Sequence, residues 1–531
     1  MQGSFTRLSY KQTGYFSDLI IDYLDQKPSL STFYAHPVSV EGMNASLQTR
    51  MQYPTNRAVL VQHLKEQYQQ VKEHPLVSKN IESLASPQTF TICTAHQPAL
   101  FTGTLYFVYK ILHAVRLAEE MKALHPEKHF VPVYWMGSED ADLDELGKFY
   151  LNGEKIEWKT KQTGAVGKMH TKGLDLLINR IEGELSVQPY GKELIAMLRE
   201  AYLNAPDIQT ATFTLLHQLF AAFGLVVIIP DSSQAKKIMQ ELFRSDLLEH
   251  KASGIVSKSI ERLSAHYKVQ ANPREINLFY FKDAIRNRIE RQGDHFVVVD
   301  TAISFTEAEL LQELEQFPER FSPNVILRGL FQEMLLPNIA FVGGGGETAY
   351  WLELKDLFEY YKVPFPVLVL RNSFLLVEKK WMEQIRKTGW SLEEIFRSEN
   401  ELITALAKRN RAASLELQNE LTQLKTYYEA LAQKAGAIDP GLIAHVAALQ
   451  ARAQKPVEEL EKKMLRAEKH KYEAEQRQLH QLKEVLFPKN GLQERIENFM
   501  PFYAKWGPAF IEMLYQHSLG LEQEFGVWVE E

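Results

Sequence analysis

The chain has 531 residues, 45% apolar and 24% charged, which excludes a disordered or fibrous protein and exceeds what one ordinary hydrophobic core holds. Its formal net charge is -7, with 60 Lys and Arg dispersed among 67 Asp and Glu, so it lacks the basic footprint that a nucleic-acid backbone demands. A single cysteine, Cys93, rules out an intrachain disulfide or a thiolate-rich zinc site and fits a reducing cytoplasm. The first residues lack a secretory pattern, and no run of about eighteen apolar residues marks a membrane span. A soluble cytoplasmic protein with neither nucleic acid nor membrane as partner is expected.

In chain order, residues 1–87 read as a helical N-terminal segment packed on the core, for example from Leu60 to Val71. TFTICT (89–94) is a β-prone run that enters the loop AHQPALFTG and then an amphipathic stretch from Thr104 to Met121. The pattern recurs as HFVPVYWM before GSEDADLDEL, FGLVVII before PDSS, and NIAFV before four glycines and a helical stretch from Thr348 to Tyr361, with VPFPVLVLR as a further strand. Strands alternating with helices predict an α/β fold, a Rossmann-like parallel-sheet core over 88–378. Less regular segments at about 150–215 and 276–317, the latter with strand candidates NLFYF and HFVVVD, read as insertions.

From 379 to 490 the character changes. Leu417, Leu421, Leu424, Tyr428, Leu431 and Ala435 keep a four-three seam, AGAIDPG supplies a turn, and a looser seam runs from Val446 to Leu486. A long antiparallel coiled-coil hairpin follows, its second helix reaching roughly 60 Å. Residues 491–531 restore an aromatic, apolar pattern that docks back on the core.

Chemistry is expected in the loops, because ligands of open parallel sheets lie beyond the carboxyl ends of the strands. His96, Asp140, Asp231 and Gly343 occupy four such ends and predict one Gly-rich, acidic crevice. Gly103 and Thr104 would open a helix whose free N–H groups suit an anion, with His96 beside them; otherwise Thr104 is a cap and His96 satisfies local backbone. Glu139, Asp140, Asp142, Asp144 and Glu145 repel one another and call for a cation: Mg²⁺ with nucleotide phosphates, a substrate ammonium, or Arg328 or Arg371. Gly343, Gly344, Gly345 and Gly346 permit the close backbone approach of a phosphate nest. Arg328, Gln332 and Glu333 lie one helix step before them, and Arg328 suits a carboxylate or phosphate, or a pairing with the acidic loop. GAVGKM (164–169) lacks the spacing of a P-loop, neither GxSxG nor HExxH occurs, and Cys93 reads as a small core residue.

TAHQPALFTGTLYFVYKI, VPVYWMGSEDADLDEL, ERFSPNVILRGLFQEMLLPNIAFVGGGGETAYWLELK and QERIENFMPFYAKWGP together resemble the bacillithiol-biosynthesis cysteine-adding family, the cysteine ligases, over nearly the whole chain. The resemblance implies a Rossmann-like core with a coiled-coil dimerisation domain. It also implies a ligase that adds L-cysteine to the amino group of glucosaminyl-malate, and a homodimer. A likeness of that family to class I aminoacyl-tRNA synthetases implies ATP or ADP, with Mg²⁺, for carboxylate activation. Here a single histidine and Ala141 depart from the patterns of the synthetases and of the family.

Asp140, Asp142, Glu347 and Arg328 are therefore the expected catalytic groups, binding the amine, accepting its proton or neutralising charge. His96, Gln97, Thr102, Gly103, Glu139, Asp144, Asp231, Gln332, Gly343 to Gly346 and Trp351 are the expected substrate or nucleotide contacts. No protein metal site is expected. A non-catalytic nucleotide- or sugar-binding scaffold and a sugar-nucleotide transferase are the alternatives.

Overall fold

A computed structural model describes residues 2–409 and 417–531. The chain forms two compact units, Met1–Leu376 with Gly491–Glu531, and Val377–Asn490. In the first, the elements that build the core are β1 (Thr89–His96), α1 (Tyr106–Leu124), β2 (His129–Met136), β3 (Val226–Ile228), α2 (Val325–Leu335), β4 (Asn338–Gly343), α3 (Gly345–Leu352) and β5 (Val367–Leu370).

The five strands are parallel, in the order β5-β4-β1-β2-β3. They are apolar runs because both faces of the sheet are covered. Phe90 and Ile92 of β1 pack with Ala114 and Leu117 of α1. Cys93 and Ala95, on the opposite face, pack with Leu327 and Leu330 of α2. Each fully buried Phe, Ile or Leu among them contributes about 1.5–3 kcal/mol relative to exposure. The chain steps outward from β1 to β3 and resumes on the other side of β1 with β4. This reversal opens a crevice beyond the ends of β1 and β4.

The N-terminal segment departs from the helical expectation at its start. Gly3–Ser9 is a strand, antiparallel to Glu524–Glu530, with Phe5 opposite Trp528. A seven-residue strand whose partner among the described residues lies at the other end of the chain has no local signature. Helices follow, and Val40–Met51 is tied to the sheet by Arg50, which pairs with Glu333 at 2.7 Å and donates to the Asn338 carbonyl at 2.8 Å. The predicted single helical stretch over 348–361 is α3 and a separate helix, Lys355–Tyr361, parted at Glu353 and Leu354.

The first insertion holds a hairpin, Lys148–Leu151 with Glu154–Glu157, and helices Leu174–Leu185, Gly191–Leu203 and Ile208–Phe220. The second is a five-stranded antiparallel sheet that includes Leu278–Lys282 and His295–Val298, the two candidates NLFYF and HFVVVD. GAVGKM braces the acidic loop: Val166 N–H donates to the Asp140 carbonyl at 2.8 Å, and Gly167 lies so close to the Ser138 carbonyl that no Cβ would fit.

In the second unit, Gln418–Gly436 and Leu442–His470 form the hairpin. The expected continuous second helix is interrupted, and Glu473–Leu486 follows a turn at Lys471 and Tyr472, where Gln476 donates to the Lys469 carbonyl at 2.9 Å. Its longest helix has 29 residues, about 44 Å rather than 60 Å. Among the described residues no helix is long and apolar enough to cross a membrane.

Candidate active site

The carboxyl ends of the five strands converge on a cavity of about 800 Å³, lined from β1 by His96 and Gln97, from the loop after β2 by Ser138, Glu139 and Asp140, and from α3 by Gly344 to Glu347. Arg286, Arg328, Arg371 and Arg495 complete the charged lining, with Glu145.

The wall between β1 and β4 is set by Lys110 of α1, whose side chain is 2% exposed. Its ammonium donates to the Ala95 carbonyl at 2.5 Å and to Glu347 Oε2 at 2.6 Å. The same Glu347 oxygen accepts from Gly344 N–H at 2.8 Å and so caps α3. Burial pushes the Glu347 carboxyl up, but the Lys110 ammonium and the Gly344 N–H together hold it below the ordinary carboxylate value. Burial, followed by Lys110, pushes the His96 imidazole down to about 3. His96 is therefore neutral near pH 7 and a poor base there, with its Nε2 3.5 Å from the Tyr106 hydroxyl.

The acidic loop finds partners other than those expected. Glu139 is held by Lys236 at 2.7 Å, and Asp140 accepts from Gln97 Nε2 at 3.0 Å and from Ala141 N–H at 2.8 Å. Glu145, an exposed residue whose carboxyl reaches the cavity, has no such partner among the described residues, and partial burial, then Asp142 and Asp140, push that carboxyl up. Of the arginines, Arg371 is spent on Glu494 at 2.7 Å. Among the described residues Arg286, Arg328 and Arg495 make no ion pair within 4.0 Å. Arg328 does not reach the acidic loop: its guanidinium donates to the Tyr350 hydroxyl at 2.6 Å and to Gln332 Oε1 at 3.2 Å. The crevice is thus mixed in charge rather than acidic, with unpaired carboxylates and unpaired guanidinium groups in one space.

Of the expected residues, His96, Gln97, Glu139, Asp140, Arg328, Gly344, Gly345, Gly346 and Glu347 share this cavity. Thr102 and Gly103 do not, and the helix start there is closed. Asn498 donates to the Phe101 carbonyl at 2.9 Å and also to that of Gly103, and Leu105 N–H is taken by the Glu497 carbonyl at 2.7 Å. Asp142 caps the turn that carries Glu145, whose N–H it accepts at 3.0 Å, and Asp144 is exposed. Asp231 pairs with Lys168 at 2.5 Å, and Gly343 is a buried strand end. Gln332 is buried behind Arg328, and Trp351 is buried with its ring stacked 4.7 Å from Phe341. Lys110, Arg286, Tyr350 and Arg495 carry no motif of their own. Only Lys110 leaves a sequence signal, a lone cation inside the apolar stretch of α1.

Among the described residues no group of three or more His, Cys, Asp or Glu side chains is placed to hold a metal ion. Lys110→Met leaves Glu347 ionised without its cation, held by the Gly344 N–H alone, and should cost roughly 3–5 kcal/mol at pH 7.5. In the parent protein the pair stabilises above the unfolded carboxyl pKa and fades as pH falls through the lower folded value. In the variant the folded carboxyl rises instead, so the deficit should shrink towards pH 5 as Glu347 is protonated. Urea unfolding at both pH values checks this, and an equal deficit at each contradicts it.

Comparison with known families agrees with the geometry. The family described as "Bacillithiol biosynthesis BshC, N-terminal Rossmann-like domain" matches residues 4–372, and its partner, "Bacillithiol biosynthesis BshC, C-terminal coiled-coil domain", matches 374–529. A relative from Flavobacterium johnsoniae, named "Putative cysteine ligase BshC", is 38% identical over 522 residues, 98% of each chain. Relatives of the same name from Flavobacterium psychrophilum and Cytophaga hutchinsonii are 38% and 37% identical, covering 98% and 97% of this chain and 98% and 96% of their own. With a parallel-sheet core, a helical hairpin and full-length relatives of one name, the chain belongs to the BshC family of bacillithiol biosynthesis.

Proposed function

We propose that this protein is a cytoplasmic cysteine ligase that joins the carboxyl of L-cysteine to the amino group of glucosaminyl-malate inside this cavity. Membership of the family and the name of its relatives support the ligase. The observation that supports the substrates is the mixed charge of the lining, with Asp140 and Glu145 available to an ammonium and Arg328 and Arg495 to carboxylates. A zwitterionic amino acid and an amine that carries two carboxylates each need both kinds of partner.

A nucleotide fits beside them. Gly345 and Gly346 present N–H groups at the start of α3, Gly346 has open space where a Cβ would stand, and Arg328 lines the same cavity. Bound ATP, with Mg²⁺ on its phosphates, would supply the leaving group that activates the cysteine carboxyl as an acyl phosphate or adenylate. The protein's own groups do the rest. Glu145, with its raised carboxyl pKa, is the group suited to take the proton from the attacking amine as the C–N bond forms, and Asp140, oriented by Gln97, holds that amine. Arg328 stabilises the carboxyl oxygen that departs with the phosphate or nucleotide.

The hairpin supports a homodimer. Within one chain Gln418–Gly436 buries no residue and Leu442–His470 buries only Val446, while Ile443, Leu449 and Leu460 are exposed. A second copy would cover them. Sedimentation velocity at micromolar concentration should give a dimer that Leu449→Glu with Leu460→Glu dissociates. A monomer before mutation contradicts the proposal.

Anaerobic mass spectrometry of protein with cysteine, glucosaminyl-malate, ATP and Mg²⁺ should give a product of their summed mass less water only in the complete mixture. Arg328→Ala and Asp140→Ala should lower its rate at least about a hundredfold with the fold intact. Release of a nucleoside diphosphate from a sugar donor instead would mark a transferase, and ligand binding without turnover a scaffold.

A further inference from the structure

Tyr350, on α3, lines the cavity and belongs to none of the expected sets. Its hydroxyl oxygen accepts an N–H from Arg328 at 2.6 Å. That leaves the hydroxyl proton to be given elsewhere, and among the described residues it has no acceptor. Arg328 is in the same condition. Two of its five N–H groups go to Tyr350 and to Gln332, and no carboxylate lies within 4.0 Å among the described residues.

The pair is held from behind. Gln332 turns its oxygen to Arg328 because its amide nitrogen is committed to Glu333 Oε1 at 2.9 Å. That oxygen also accepts from Asn338 at 2.8 Å, while the other is fixed by Arg50 at 2.7 Å. Arg50, Gln332 and Glu333 are all buried, so Gln332 cannot flip without leaving a buried donor unpaired. A hydroxyl that accepts from a cation is a stronger donor in turn.

We propose that Tyr350 and Arg328 form a paired donor site for a substrate carboxylate, Tyr350 giving its O–H and Arg328 its remaining N–H groups, with Gln332 as the positioning residue. The site deepens the ligase reading and rests on it for its ligand. The carboxylate is either that of cysteine or that of the malyl group, two sources of one chemistry.

Equilibrium binding of L-cysteine and of L-malate, each alone, to the full chain and to Tyr350→Phe separates the sources. The variant should bind one probe about tenfold to a hundredfold more weakly and the other within about twofold, at an unchanged thermal midpoint. A structural role for the hydroxyl would move both probes together or shift the midpoint. Arg328→Lys, which keeps the charge but loses the fork, should weaken the same probe. The proposal is overturned if Tyr350→Phe binds both probes as the parent does, or if the parent binds neither. Product formed equally by parent and Tyr350→Phe sinks this site and leaves the ligase standing. Binding that depends on Tyr350 in a protein that makes no product upholds the site and sinks the ligase.

Discussion

Parallel strands end side by side, and the carbonyls and helix starts gathered at those ends need partners that a closed crevice cannot draw from water. Here one buried ammonium meets that need at the reversal of the sheet. Lys110 joins the end of β1, through the Ala95 carbonyl, to Glu347, which in turn caps α3 after β4. Removing water from both charges is costly, and the pair persists because each group has further hydrogen bonds. The position of the Gly344 backbone follows from it, and the Lys110 charge adds to burial in keeping the His96 imidazole neutral.

The rest of the cavity divides its charges by a similar economy of partners. Glu139 and Arg371 are satisfied inside the protein by Lys236 and Glu494. What remains open is Asp140 and Glu145 on the loop after β2, and Arg286, Arg328 and Arg495 on other elements. Internal pairing thus removes the charges that would otherwise collapse onto one another and leaves those that a ligand can meet. The separation is incomplete, because Arg286, which makes no ion pair among the described residues, feels the charges of Asp140 and Glu139.

The sheet was legible because its strands are buried on both faces and read as apolar runs that each end at a polar loop, as in HFVPVYWM before GSEDADLDEL. The acidic loop and the glycine run were legible for the same reason, since position at a strand end and an unusual composition coincide there. Four features were not. Gly3–Ser9 depends on a partner strand at the opposite terminus. The Gly103 helix start is closed by Glu497, whose carbonyl takes the Leu105 N–H, and by Asn498, contacts across almost 400 residues that no local spacing records. Tyr350 and Arg495 enter the cavity only through the packing of helices and a C-terminal loop, so nothing in their immediate sequence distinguishes them from ordinary surface residues. The interruption at Lys471 and Tyr472 was hidden for a different reason, because a polar stretch of high helix propensity carries no Gly or Pro where it bends.

If the amide bond forms between the carboxylate loop and the free arginines, a crystal structure with glucosaminyl-malate bound should show it there. The sugar amine should lie at Asp140 and Glu145, with the malyl carboxylates facing arginine donors of the same cavity. A ligand seated outside this cavity, or inside it with its amine among the arginines, would contradict the account.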